Sequence, residues 1–133
     1  MGNICHHIGI FTNNPGELIR FYTEKLGFEV EGEKTVSEEL LRGIFGVSSS
    51  CTLTKLRFDQ VILEILTPQN LELKKRSNDV KGYNHWSLGV QNKEAFTREL
   101  KEKVVLILEF EKNGHFIYFV KDPEGNLIEI HES

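Results

Sequence analysis

Apolar residues along this chain fall mostly in short runs that alternate with polar ones, and at intervals the spacing widens to that of a helix. Alternation predicts strands over Ile4–Thr12, Phe28–Val36, Cys51–Phe58, Val61–Thr67, Asn84–Val90 and Val104–Phe110, with two more inside Phe116–His131. Leu18, Ile19, Tyr22 and Leu26 have helical spacing. Asn14 and Pro15 stand before them as N-cap and first-turn residues, and Gly27 follows as a stop. Ser37–Gly46 reads as a second, shorter helix with Leu40, Leu41, Ile44 and Phe45 on one stripe. Asn92 opens a third, running to about Lys103 with Phe96 and Leu100 inward.

The turn residues divide these elements into two similar halves. Asp59-Gln60 joins one strand pair, Asn113-Gly114 is a hairpin signal, and Asp122-Pro123-Glu124-Gly125-Asn126 supplies a tight turn before the last strand. Each half then reads strand, helix, strand, strand, strand. The predicted organisation is an N-terminal βαβββ module over 1–68, a polar linker over 69–82 and a C-terminal βαβββ module over 83–133. The fold class is α+β.

A length of 133 residues, with 39% hydrophobic and 27% charged, describes a chain that can bury a core and does not read as disordered or membrane-spanning. The net charge of −4 gives a nucleic-acid partner no electrostatic support. The opening MGNICHHIGI has neither a basic stretch nor a signal-type apolar run, so a cytoplasmic protein is expected. Two cysteines, Cys5 and Cys51, make no disulfide framework and read as thiols.

The candidate chemistry lies where the halves match. Val61–Leu66 is an apolar strand with one carboxylate, Glu64, and Leu127–Ile130 is another with Glu129. A carboxylate in such a strand is costly to bury alone and needs a partner, of which a metal ion is one. His7 in the first strand of one half corresponds to His85 in the first strand of the other. A lone histidine on an apolar strand is usually a hydrogen-bonded core residue; two His and two Glu at equivalent repeat positions favour a metal site. Alternation turns His6 away from His7 and puts Cys5 on the side of His7. Buried cysteines usually only pack, so a Cys–His nucleophile is the weaker reading. His131 shares a face with Glu129.

His7-Ile8-Gly9-Ile10, Phe21–Phe28, Gly82-Tyr83-Asn84-His85 and Asp122–Ile130 together resemble the signature stretches of the vicinal oxygen chelate superfamily. That superfamily holds glyoxalase I, methylmalonyl-CoA epimerase, extradiol dioxygenases, and the fosfomycin and bleomycin resistance proteins. The resemblance covers nearly the whole chain. It implies paired βαβββ modules whose mixed sheets curve around a shared metal-containing cavity. It implies His7, Glu64, His85 and Glu129 as ligands of a divalent ion, with Ni, Co, Zn, Mn or Fe suited to such donors. Four ligands of this kind are most similar to those of bacterial-type glyoxalase I. The implied activity is that of a lyase or isomerase moving a proton beside a metal-bound carbonyl of a small substrate with vicinal oxygens, with Glu64 or Glu129 as base. The alternatives are an acyl-CoA epimerase-like enzyme and a non-catalytic, bleomycin-resistance-like binder.

Phe11, Leu41, Phe45 and His131 are expected to line the substrate space, under a cover formed by the Ser37–Gly46 helix. A homodimer is expected from the family's habits and the prevalence of two-fold symmetry. The chain departs from glyoxalase I at two glutathione-binding positions. An Arg four residues after the first His is here Phe11, and an Asn four residues after the first Glu is here Pro68. The resemblance therefore does not carry glutathione over. The basic run Lys74-Lys75-Arg76 could hold an anionic substrate tail, but a run of this kind reads first as part of a solvated linker.

Overall fold

The computed structural model describes residues 2–133; Met1, the first residue of the expected N-terminal module, lies outside them. Two compact units divide the chain, one ending at Lys75 and the other starting at Arg76. In the first, β1 (Ile8–Phe11), β2 (Glu29–Val36), β3 (Cys51–Phe58) and β4 (Val61–Pro68) form a sheet in the order β1-β4-β3-β2. In the second, β5 (His85–Val90), β6 (Ile107–Lys112), β7 (His115–Lys121) and β8 (Leu127–Glu132) form a sheet in the order β5-β8-β7-β6. The first and last strands of each unit pair in parallel, and the other pairs are antiparallel. The result is the α+β repeat that the sequence pattern predicts.

The first unit buries one face of β3 and β4 and part of the other. Leu56, Leu63 and Ile65 point to one side, where Leu18 and Tyr22 meet them and Tyr22, Phe28 and Phe58 make edge-to-face contacts. The expected helix from Pro15 to Gly27 is α1 (Pro15–Arg20) followed by a wider π-helical turn over Phe21–Leu26. Gly27 stops it at φ 98, where a side chain would be strained. Asn14 does not cap as expected; its amide donates to Glu17 Oε2 instead (2.9 Å). Ser37 does cap α2 (Glu38–Phe45), accepting from the Leu40 N–H. Of the expected α2 stripe only Leu41 is buried; it packs with Cys51, Leu53 and Leu66, against Phe11, Val36 and Val47.

The first strand begins at Ile8 rather than Ile4, because its ladder to β4 runs only from Ile8↔Leu63 to Phe11↔Leu66. Residues 3–7 are exposed ahead of it. Part of the expected linker belongs to the first unit. Asn13 donates to Leu71 O (2.8 Å) and accepts from Leu73 N (2.6 Å), which ties down the start of that segment.

In the second unit α3 (Lys93–Glu102) starts at Asn92, whose side chain accepts from Ala95 N. Its Leu100 packs in the buried set with Leu88, Val105, Tyr118, Val120, Ile128 and Ile130. β6 begins at Ile107, not Val104. Lys103 and Val104 are drawn into the end of the helix by bonds to Glu99 O and Lys101 O, and Val104 is left at φ 63. Asn113 and Gly114, both at positive φ, make the predicted two-residue hairpin turn. Asp122 organises the last turn, accepting from Glu124 N (2.9 Å), Asn126 N (3.0 Å) and the Asn126 amide (2.8 Å).

Candidate metal centre

In each unit the parallel pairing of first and last strand brings a histidine to a carboxylate. His7 Nε2 stands 3.3 Å from Glu64 Oε1, and His85 Nε2 stands 3.5 Å from Glu129 Oε1. The placement is the same in both. His85 pairs with Leu127, two residues before Glu129; His7 comes one residue before the Ile8↔Leu63 pair, level with Ile62, two residues before Glu64. His7 and His85 are exposed and Glu64 and Glu129 half-buried, so all four are accessible.

The second nitrogen of each ring is engaged. His85 Nδ1 is 2.8 Å from Asn84 Oδ1, an atom that only accepts, so Nδ1 carries the proton. His7 Nδ1 is 2.9 Å from His6 Nδ1, where one ring donates to the other. His6 therefore does not point away from His7 as alternation predicts; both residues precede β1, and their rings meet edge-on.

In the neutral ring with its proton on Nδ1, Nε2 of His85 presents a lone pair to the carboxylate. Two acceptors face to face repel unless a proton or a cation lies between them. A charge-assisted N–H···O bond closes to about 2.7–2.9 Å. Two donors on one divalent ion, each at about 2.1 Å and at 90–109° to each other, lie about 3.0–3.4 Å apart. The observed 3.3 and 3.5 Å sit near the second range and well outside the first. The donor set thus fits a borderline divalent ion. Among the described residues no group of three or more His, Cys, Asp or Glu donors occurs; the expected ligands are brought together as two pairs, one in each unit.

The surroundings of the pairs differ. Glu64 shares its face of the first sheet with Phe11, Leu53 and Leu66, which α2 covers, and with Lys55 and Arg57 toward the other end. Lys55 lies directly opposite Glu64 in the β3–β4 ladder. It pairs instead with Glu31 Oε1 (3.5 Å), while Arg57 Nε donates to Glu31 Oε2 (2.6 Å). The Arg57 hydrogen bond is the main reason that Glu31 is held below the usual glutamate pKa. In the second unit His85 lies edge-on to Phe119 (4.9 Å between centroids), and Phe119 shares its face with Glu129, Leu108, Phe110 and Ile117.

Of the expected substrate residues, Phe11 contacts Phe45 edge-on at 5.5 Å, on the side that carries Glu64. Leu41 has no exposed surface, so it seats α2 and offers no contact to a substrate. Phe45 remains half exposed, and exposed His131 is occupied with the Glu132 carbonyl. Lys74, Lys75 and Arg76 are exposed on the segment between the sheets. Cys5 Sγ touches the His7 carbonyl and not its ring; burial pushes the Cys51 thiol pKa up, which makes it a poor nucleophile. The sequence reading passed over Lys55 and Arg57. The signal was there: a two-residue turn at Asp59-Gln60 sets residue 55 opposite residue 64.

Among the described residues no helix is long and apolar enough to cross a membrane. No curated protein matches the chain. Solved structures do. A glyoxalase family protein from Enterococcus faecalis is 26% identical, with a TM-score of 0.71 over 97% of both chains. The trypanothione-dependent glyoxalase I of Leishmania major is 24% identical, with a TM-score of 0.72 over 98% of this chain and 87% of its own. FosX, a fosfomycin resistance protein from Listeria monocytogenes solved with Mn(II) and a dihydroxypropylphosphonic acid, shares the fold at 16% identity, with a TM-score of 0.66 over 100% of this chain and 94% of its own. The family model for the Glyoxalase/Bleomycin resistance protein/Dioxygenase superfamily matches residues 4–130, and the chain belongs to that superfamily.

Proposed function

We propose that this chain is a divalent-metal-dependent enzyme of the glyoxalase I type, acting by proton transfer on a small substrate with vicinal oxygens. The observation that carries the proposal is the repeated pair. Each unit presents a histidine Nε2 to a carboxylate, at a spacing suited to two donors of one ion. In this reading His7, Glu64, His85 and Glu129 are the ligands. When bound, the ion supplies Lewis-acid polarisation of a substrate carbonyl. Glu64 or Glu129 takes the proton from the carbon beside that carbonyl and returns it to the neighbouring carbon. Asn84 holds the His85 ring in the tautomer that leaves Nε2 free.

The hemithioacetal of glutathione and methylglyoxal is a poor substrate in this reading. Phe11 is engaged with Phe45, and Pro68 is buried at the end of β4. Neither offers a charged partner to a terminal carboxylate. Each lost charge-assisted bond costs about 1.5–3 kcal/mol, so two losses lower kcat/KM by roughly two to four decades. The test is exchange of the substrate carbon-bound proton with deuterated water by metal-loaded protein, screened over 2-oxoaldehyde–thiol adducts and acyl-CoA epimers. Exchange should occur with at least one of these and fall about 100-fold or more when the base is changed, by Glu64→Gln or Glu129→Gln. Metal-loaded protein that exchanges none of them contradicts the assignment, and efficient turnover of the glutathione adduct contradicts the reading of Phe11 and Pro68.

A further inference from the structure

Each histidine that faces a carboxylate is held from behind by the residue just before it. Asn84 Oδ1 stands 2.8 Å from His85 Nδ1, and His6 Nδ1 stands 2.9 Å from His7 Nδ1. Neighbouring side chains within a strand point to opposite faces and do not meet in this way. They meet here because β5 begins at His85 and β1 at Ile8, so that Asn84 and His6 both lie ahead of a strand. His6 and Asn84 thus occupy equivalent places in the repeat. Each stands one residue before a histidine whose Nε2 faces a glutamate, at 3.3 Å in the first unit and 3.5 Å in the second.

The two neighbours differ in what they allow. Asn84 presents an oxygen, which only accepts, so the His85 proton stays on Nδ1 and Nε2 keeps its lone pair. A neutral imidazole presents either a proton or a lone pair at Nδ1. The contact between His6 and His7 therefore has two arrangements with the same number of protons. In one, His7 Nδ1 donates to His6 Nδ1, the His6 proton sits on Nε2, and His7 Nε2 offers a lone pair on the side of Glu64. In the other, His6 Nδ1 donates to His7 Nδ1, and the His7 proton sits on Nε2, facing Glu64 Oε1. The first arrangement is ready for a cation, and the second puts a proton in the cation's place. His6 is exposed, so water satisfies its Nε2 in either form.

We propose that His6 is the positioning residue of the first half of the site, and that it leaves His7 divided between a metal-ready and a metal-blocked tautomer while Asn84 keeps His85 ready. The metal part of this inference rests on the proposed function; the coupling of the two rings does not. Passing from blocked to ready, His7 loses a proton at Nε2 and gains one at Nδ1, while His6 does the reverse. A backing hydrogen bond orients a ligand ring and raises its basicity, and losing one costs about 10–100-fold in affinity. A partly populated competent form lowers affinity in proportion to its fraction, so a ready fraction of about one third costs about threefold.

The experiment exchanges the two neighbours. Nitrogen NMR of the histidine rings in metal-free full-length protein reads the tautomer of each. In wild type His85 should carry its proton on Nδ1, and His7 should give the averaged signal of both forms. His6→Asn should move His7 to the Nδ1–H form, and Asn84→His should bring His85 to the mixed state. Identical His7 signals in wild type, His6→Asn and His6→Phe overturn the proposal, as does a wild-type His7 held wholly in one tautomer.

Titration with cobalt(II) is the second arm. His6→Asn should bind more tightly than wild type, by the inverse of the ready fraction that the ring signals give. His6→Phe and Asn84→His should both bind more weakly. A merely structural role for His6 predicts no tightening in His6→Asn. Equal affinity in wild type and His6→Asn, with His7 mixed in wild type, overturns the claim that the mixture limits metal capture. Protein that binds no cobalt in any form overturns the metal reading, and the ring signals alone then decide whether His6 sets the tautomer of His7.

Discussion

The two units of this protein share a topology and a His–Glu pair at equivalent places, yet almost nothing around the pairs is alike. In the first unit the face beside Glu64 is divided, with an apolar end under α2 and a cationic end at Lys55 and Arg57. In the second, no helix stands between the second and third strands, and the face beside Glu129 is apolar, with Phe119, Leu108, Phe110 and Ile117. What the units hold in common is the chemistry that a metal would need. What they do not share is what surrounds the pair. Repetition therefore separates the geometry common to the two units from the features peculiar to each.

The largest effect on that comparison should come from the helix that only the first unit has. Leu41 is fully buried, and Leu41→Ala removes its packing against Cys51, Leu53 and Leu66. A loss of about 2–5 kcal/mol is expected on denaturant unfolding, with the first unit responding more in hydrogen exchange. Uniform loss of protection across both units would show that α2 is not a local feature of the first.

The next effect sharpens the difference between the two histidines. Asn84 can only accept from His85 Nδ1 with the oxygen it presents, whereas His6 and His7 can exchange donor and acceptor roles. Asn84→Ala should lower metal affinity about 10–100-fold, and His6→Phe less. Cobalt titration of both variants measures this, and an equal effect would mean that the two rings are held equally firmly.

A smaller effect lies at the end of α3. Val104 is exposed and held at φ 63, which a β-branched residue resists. Val104→Gly should stabilise the protein by about 1 kcal/mol, read as a shift in the denaturation midpoint, because no packing is lost. The corresponding stop in the first unit is already a glycine, Gly27, and Gly27→Ala should destabilise by a similar amount.

Much of this architecture was legible in the sequence because period-two alternation and turn residues fix strands and their joints. Asn113-Gly114 and the Asp122–Asn126 turn behave as their residues dictate. The failures occur where a neighbour in space overrides a local rule. Asn14 has the identity of a cap but spends its amide on Glu17, and Val104 has the identity of a strand residue but is captured by the helix end. His6 follows alternation only if its segment is a strand, and the ladder stops short of it. For the site, the two His–Glu pairs were legible from repetition. The pairing of Lys55 with Glu31 was not, because it depends on a bulge that no residue type announces.

The measurement that most directly tests the account is the metal content of purified protein and of variants in either unit. Elemental analysis should find one divalent ion for each set of four donors in wild type. The account predicts its loss in His7→Ala and Glu64→Ala of the first unit, and equally in His85→Ala and Glu129→Ala of the second. Full occupancy in the variants of either unit would contradict the proposal that both pairs serve one ion.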